Sequence, residues 1–186
     1  MSRALASIFA ALILAVVAGT QWATPTLAQN ATTGSLKVKA DPGRAGVFVD
    51  GKYLGPAANF SRTRTYTLPV GTHDVVLREP RYRDVTVKVT IEAGKTAEVK
   101  QKLEEVPLDP GPFGKLKTKS APKYTAVYVD DRFMGHADEF DNFAQSLLLR
   151  PGAYQVKLVS ADGARNHQEK VTITADKTTT VSWNGQ

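Results

Sequence analysis

The chain has 186 residues, is 42% hydrophobic, and sets 24 Lys and Arg against 18 Asp and Glu for a net charge of +6. That length holds one or two domains, and so mild a positive charge gives solubility and weak attraction to anionic surfaces, nothing sharper. Cysteine is absent, which excludes disulfides, thiolate metal sites, thiol nucleophiles and acylation of an N-terminal Cys, so packing alone must hold any core.

The N-terminus carries the strongest local signal. Arg3 is the only charge before Lys37, and Ala4 to Ala18 is an unbroken run of apolar and small residues. At about 15 residues the run falls short of the roughly 20 needed to cross a bilayer. Polar residues and Pro follow, then Thr26-Leu27-Ala28, whose small residues at −3 and −1 suit signal peptidase. Residues 1–28 read as a signal peptide cleaved after Ala28. The expected location is periplasmic or secreted, with no integral membrane span after cleavage.

The remainder repeats itself. Gly34, Leu36, Lys37, Lys39 and Pro42 match Gly114, Leu116, Lys117, Lys119 and Pro122 at an offset of 80, as do VFVDGKYLG (47–55) and VYVDDRFMG (127–135). The offset becomes 81 at Leu68/Leu149 and 82 at Val89/Val171. Each slip adds one residue between apolar runs. An insertion inside a strand would flip its core face to solvent, so the slips mark loops.

Within each copy the apolar residues alternate as in half-buried strands. Leu36, Val38 and Ala40 oppose Lys37 and Lys39; Val47 and Val49 share a face; Tyr66, Leu68 and Val70 follow; Val85, Val87, Val89 and Ile91 alternate with polar residues. Tyr154, Val156 and Leu158, then Val171 and Ile173, then Val181 and Trp183, do the same in copy two. Asp50-Gly51 suits a type I′ hairpin turn, which needs positive φ at both central residues. Asp130-Asp131 stands there in copy two, and a looser or different turn is expected, because Asp accepts that geometry less well than Gly. His136 to Leu147 has room for one helical turn. Six or seven short strands per copy predict an all-β protein: two small β-sandwich domains in tandem over 34–103 and 114–183. The segment 104–113, rich in Pro, reads as a stiff extended linker.

At VFVDGKYLG followed by LPVGTHDVVL, and at VYVDDRFMG followed by LLLRPGAYQVKL, both copies resemble the PEGA domain family. The resemblance implies PEGA-like sandwiches that serve as extracytoplasmic interaction or structural modules, often in bacterial envelope proteins. Departures are the longer loops after Gly55 and Gly135, the missing turn Gly in copy two, and Arg81-Tyr82 and Gly163-Ala164 where the family often carries Gly-Tyr.

Candidate chemistry is sparse. His73, His136 and His167 form no metal-binding pair. His73 aligns with Tyr154 and is expected to be a packed, hydrogen-bonded ring, whereas His136 and His167 fall in predicted loops and are expected to be solvated. No nucleophile motif is present, and domains of about 70 residues offer little scaffold for a catalytic cleft. A small hydrolase is the least favoured reading. Asp138-Glu139-Phe140-Asp141-Asn142, with Asp130-Asp131 upstream, is a weak Ca²⁺ candidate and reads better as a solvated loop. Arg62, Arg64, Arg78, Arg81 and Arg83, with Tyr66 and Tyr82 among them, offer a basic patch for an anionic envelope polymer or lipid surface, or merely charged edges that prevent aggregation. Nucleic acid is not expected behind an export signal. Tyr53 and Phe133, beside the hairpin turns, either stack on sugar rings or plug the sandwich ends, and the second is favoured.

No catalytic, cofactor-binding or metal-binding residue is assigned. The sequence predicts an exported, non-catalytic interaction module of the cell envelope, acting as adaptor or scaffold through protein binding, with a glycan or cell-wall polymer as the alternative ligand. The expected partner is an envelope protein or an anionic cell-surface polymer, and no cofactor is required.

Overall fold

The computed structural model describes residues 32–60 and 64–183; the expected signal peptide, the site of Arg62 and the last three residues lie outside them. The chain is nearly all β. The first domain runs β1 (Thr33–Asp41), β2 (Gly46–Val49), β3 (Lys52–Pro56), β4 (Tyr66–Pro69), β5 (Gly71–Arg78), β6 (Val85–Ile91) and β7 (Thr96–Lys102). The second runs β8 (Gly114–Lys119), β9 (Ala126–Val129), β10 (Arg132–His136), β11 (Leu147–Leu149), β12 (Gly152–Val159), β13 (Asn166–Ile173) and β14 (Thr178–Ser182). Each domain faces a three-stranded sheet, β4-β1-β7 or β11-β8-β14, against a four-stranded one, β3-β2-β5-β6 or β10-β9-β12-β13. This is the expected tandem sandwich, with the same strand order in both copies.

Alternation builds each core. Leu36 and Val38 of β1 turn inward to meet Val47, Val75, Leu77, Ile91 and Val99. Leu116, Val127, Val156, Leu158, Ile173 and Val181 do so in the second domain. First and last strands pair in parallel, Ser35 to Asp41 against Thr96 to Lys102 and Lys115 to Lys119 against Thr178 to Ser182. The matched glycines at the head of β1 and β8 are required by crowding. A Cβ on Gly34 would lie 2.3 Å from the Glu92 carbonyl oxygen and 2.7 Å from Ile91, and one on Gly114 would lie 2.3 Å from Thr174 O and 2.6 Å from Ile173.

Both offset slips fall in loops. Five residues separate Phe60 from Tyr66 where six separate Phe140 from Leu147, and seven separate Leu77 from Val85 where eight separate Leu158 from His167. A single 3₁₀ turn, Ala57–Phe60, and a single helical turn, Ala137–Phe140, occupy matching places. The turn expectation for copy two is corrected. Asp130 and Asp131 have φ of 46° and 61°, the same sign as Asp50 at 49° and Gly51 at 80°, so both hairpins use one turn geometry. The aspartates at the first position hold it: Asp50 Oδ1 accepts the Asp74 N–H at 3.0 Å and Asp130 Oδ1 the Gln155 N–H at 2.9 Å.

The linker is tied down at both ends rather than left as a spacer. Glu104 O accepts Arg83 N–H at 2.9 Å and Arg81 O accepts Val106 N–H at 2.7 Å, which prolongs the first domain. Asp109 is then gripped by the Arg150 guanidinium of the second, with Nε to Oδ2 at 2.9 Å.

Candidate functional site

The two domains meet at a seam made from the same element in each. Strand β2 is buried on both faces. Val47 and Val49 enter its own core, while Phe48 turns outward into a separate cluster with Tyr53 and, from the second domain, Ala126 and Phe133. Tyr128, Val76 and Val159 edge this cluster. Tyr53 and Phe133 occupy equivalent repeat positions, and their ring centroids lie 5.6 Å apart. Phe48 meets Phe133 edge-on at 5.3 Å, an orientation the aromatic quadrupole favours. A face packing on its own equivalent is an internal version of an isologous dimer contact. Gly46 permits it: a Cβ there would sit 2.6 Å from Phe133 Cζ.

Polar groups extend the seam. His136, expected to be solvated in a loop, instead ends β10 and is 2% exposed. Strand β10 runs one residue past the hook Gly135, and the first domain then covers the ring. Its Nε2–H donates to Arg44 O at 2.7 Å, and Nδ1 lies 2.5 Å from the Tyr53 hydroxyl, which is also 3.2 Å from Tyr124 O. Both His136 bonds cross between domains. Burial lowers the His136 pKa and raises that of Tyr53, so neutral imidazole and phenol are the forms the seam holds. Beside them Glu139 Oε1 is buried with no hydrogen-bond partner, 3.7 Å from His136 Nε2. Desolvation lifts the Glu139 carboxyl to about 7 against the pull of nearby Arg44. Arg44 pairs at 2.9 Å with Glu79 of its own domain. A shallow cleft of about 300 Å³ opens at the seam's rim, lined by Lys52, Tyr53, Tyr128, Asp131, Lys157 and Val159 among others.

The remaining candidates fall as follows. Tyr53 and Phe133 are 7% and 5% exposed, so neither offers a ring to a sugar, and each covers the other domain rather than the end of its own. The glycan alternative thereby loses its two named residues. His73 is hydrogen-bonded as expected, Nδ1 to Asp50 Oδ2 at 2.7 Å and Nε2 to Pro69 O at 2.9 Å. Both partners are acceptors, and the bond to Asp50 raises the His73 pKa. Tyr154 makes the matching bond to Arg150 O at 3.0 Å. His167, also expected in a loop, sits in β13 opposite Leu158, because this hairpin zips out to Val159 and Asn166; its side chain is 17% exposed.

Asp138 accepts the Tyr124 N–H at 3.2 Å and Asn142 caps its own turn. Among the described residues no three His, Cys, Asp or Glu side chains converge as a metal site. Of the basic candidates of copy one, Arg78 pairs with Asp84 and lies over the Phe48 ring, and Arg83 pairs with Glu104.

A model of the PEGA domain family matches residues 33–107, which are the first sandwich with the start of the linker. No curated protein matches the sequence. Among solved structures, the Bacillus anthracis TIE protein is similar over 83% of this chain and 34% of its own, at 13% identity and a TM-score of 0.28. This chain spans about a third of that protein, and at that score the likeness bears on neither fold nor function.

Proposed function

We propose that the chain is an exported, non-catalytic module of the cell envelope, a rigid two-domain adaptor or scaffold that works through its sandwich surfaces. The observation that carries this reading is the seam. Two repeats are locked face to face by four buried aromatic and aliphatic side chains and by cross-domain hydrogen bonds through one buried His. The one buried imidazole thereby has both nitrogens committed to joining domains, which leaves it no free lone pair to act as a base. A fused pair presents two sets of loops at a set distance and angle, which is what a scaffold must supply. The PEGA match over the first domain supports the reading. No helix among the described residues is long and apolar enough to cross a membrane, and the apolar segment before Ala18 supports export.

In-cell cross-linking with mapping of the linked lysines tests the proposal. A scaffold yields links from a fixed set of lysines to one or a few envelope proteins, and the set disperses when the seam is broken by Gly46→Ala. Links spread evenly over many abundant proteins, unchanged by Gly46→Ala, refute it.

A further inference from the structure

The outer face of the second domain's three-stranded sheet differs from its counterpart in the first. In β8, Lys115, Lys117 and Lys119 alternate with the inward Gly114, Leu116 and Thr118. In β14, Thr178, Thr180 and Ser182 stand beside them rung for rung, and Leu148 of β11 lies beside Lys115. The first domain has Ser35, Lys37 and Lys39 in β1, and Glu98 and Lys100 in β7. There Glu98 holds Lys39 at 3.1 Å and Lys100 at 3.5 Å. In the second domain the Glu98 position is Thr180, and none of the three lysines has an ion pair among the described residues. Apolar side chains join them. Leu148 is 51% exposed where the first domain has Thr67, and Phe143 is fully exposed at 102%.

Phe143 is held out rather than hanging loose. Lys117 Nζ donates to Asn142 O at 2.8 Å and to Phe143 O at 3.4 Å, with the ammonium 5.8 Å from the ring. Asn142 pins the loop through Glu139 O, Ala144 N and Gln145 N. Lysines about 7 Å apart on one face of a strand meet a plane of negative charge, not a single anion. A fully exposed phenyl standing clear of the surface, with the Lys117 ammonium over one face, enters an apolar layer and is poorly placed as a stacking floor for a sugar. We propose that this face, Lys115, Lys117 and Lys119 with Phe143 and Leu148, docks on an anionic lipid surface. The lysines supply attraction to the headgroups and Phe143 inserts at the acyl boundary. This surface stands independently of the adaptor reading.

Co-sedimentation of the full chain with vesicles tests it, comparing phosphatidylcholine alone with phosphatidylcholine containing phosphatidylglycerol. The N-terminal apolar segment is common to every variant, so differences between variants report on this face. Wild type is expected to favour the anionic vesicles, and the preference to fade with added salt. Each Lys→Gln change at 115, 117 or 119 costs about fivefold in partition, and Phe143→Ser about tenfold or more. Lys37→Gln with Lys39→Gln, on the matching face of the first domain, leaves partition unchanged. Equal binding to both vesicles, or wild-type binding by the triple lysine variant, overturns the proposal. Binding that the lysine changes abolish but Phe143→Ser leaves intact also overturns it, and retention on dextran sulfate would then assign the face to a soluble polyanion.

Discussion

Gly46→Ala is the sharpest test of the seam, because the two atoms nearest to an added methyl group belong to Phe133 of the other domain, ahead of the edge of the Phe48 ring at 3.3 Å. The added Cβ would stand 2.6 and 2.8 Å from the Phe133 ring, and ordinary contact begins at 3.4 Å, so that ring must retreat by about 0.8 Å. It has little room to do so, being packed against Tyr53, Phe48, Tyr128 and His136. Overpacking of this kind costs about 1–3 kcal/mol, and the closest clash falls on docking. Denaturant unfolding followed by tryptophan fluorescence and circular dichroism reads the result. Wild type should unfold in one transition. Gly46→Ala should lower the midpoint and separate two transitions, while linker residues 104–113 become sensitive to protease. A single transition at the wild-type midpoint would mean that the domains are not coupled through this contact.

Three further outcomes are expected. Glu139→Gln tests the buried carboxyl: a pKa held near 7, above its ordinary 4.5, means the folded chain binds that proton more tightly than the unfolded one. Stability is therefore full below about pH 4.5 and erodes up to about pH 7. The variant should gain about 1–3 kcal/mol over wild type at pH 8 and nothing at pH 4; a pH-independent difference in midpoint would contradict this, and His136, whose lowered pKa costs stability as pH falls through 6.5, is common to both chains. His73→Tyr copies Tyr154. Because Asp50 raises the His73 pKa, its contribution is full below pH 6.5 and fades above, so the variant should match wild type within about 0.5 kcal/mol at pH 9 and fall behind it at pH 5 in thermal melts. Gly34→Ala and Gly114→Ala push a methyl group into backbone carbonyls, and each should cost its own domain about 3 kcal/mol or more by urea titration.

Much of the fold was legible because the molecule states it twice. Gly34 matched Gly114, Leu36 matched Leu116, and the offset changed only where loops lie, so the strands followed from the residues between slips. The seam was harder to see. Val47-Phe48-Val49 and Val127-Tyr128-Val129 are unbroken apolar runs, and such runs belong to strands buried on both faces. Taken as half-buried, they gave Val47 and Val49 a core and left Phe48 and Tyr128 unassigned. The same oversight gave Tyr53 and Phe133 to the ends of their own sandwiches instead of to the facing domain. His136 carried no local signal, since its burial comes from a domain that begins about a hundred residues earlier. The turn at Asp130-Asp131 was misjudged because intrinsic preference was weighed without the backbone N–H that Asp130 accepts from β12.

The parallel pairing of first and last strands has a mechanical consequence. The chain enters each sandwich at one end of β1 or β8 and leaves at the far end of its neighbour, β7 or β14. A tension applied along the polypeptide then loads the hydrogen bonds of that pair in shear, all rungs together, instead of peeling them one at a time. The first domain has seven registered positions in this clasp, from Ser35 to Asp41, and the second five, from Lys115 to Lys119. Resistance to stretching should follow that order, with the second sandwich yielding first.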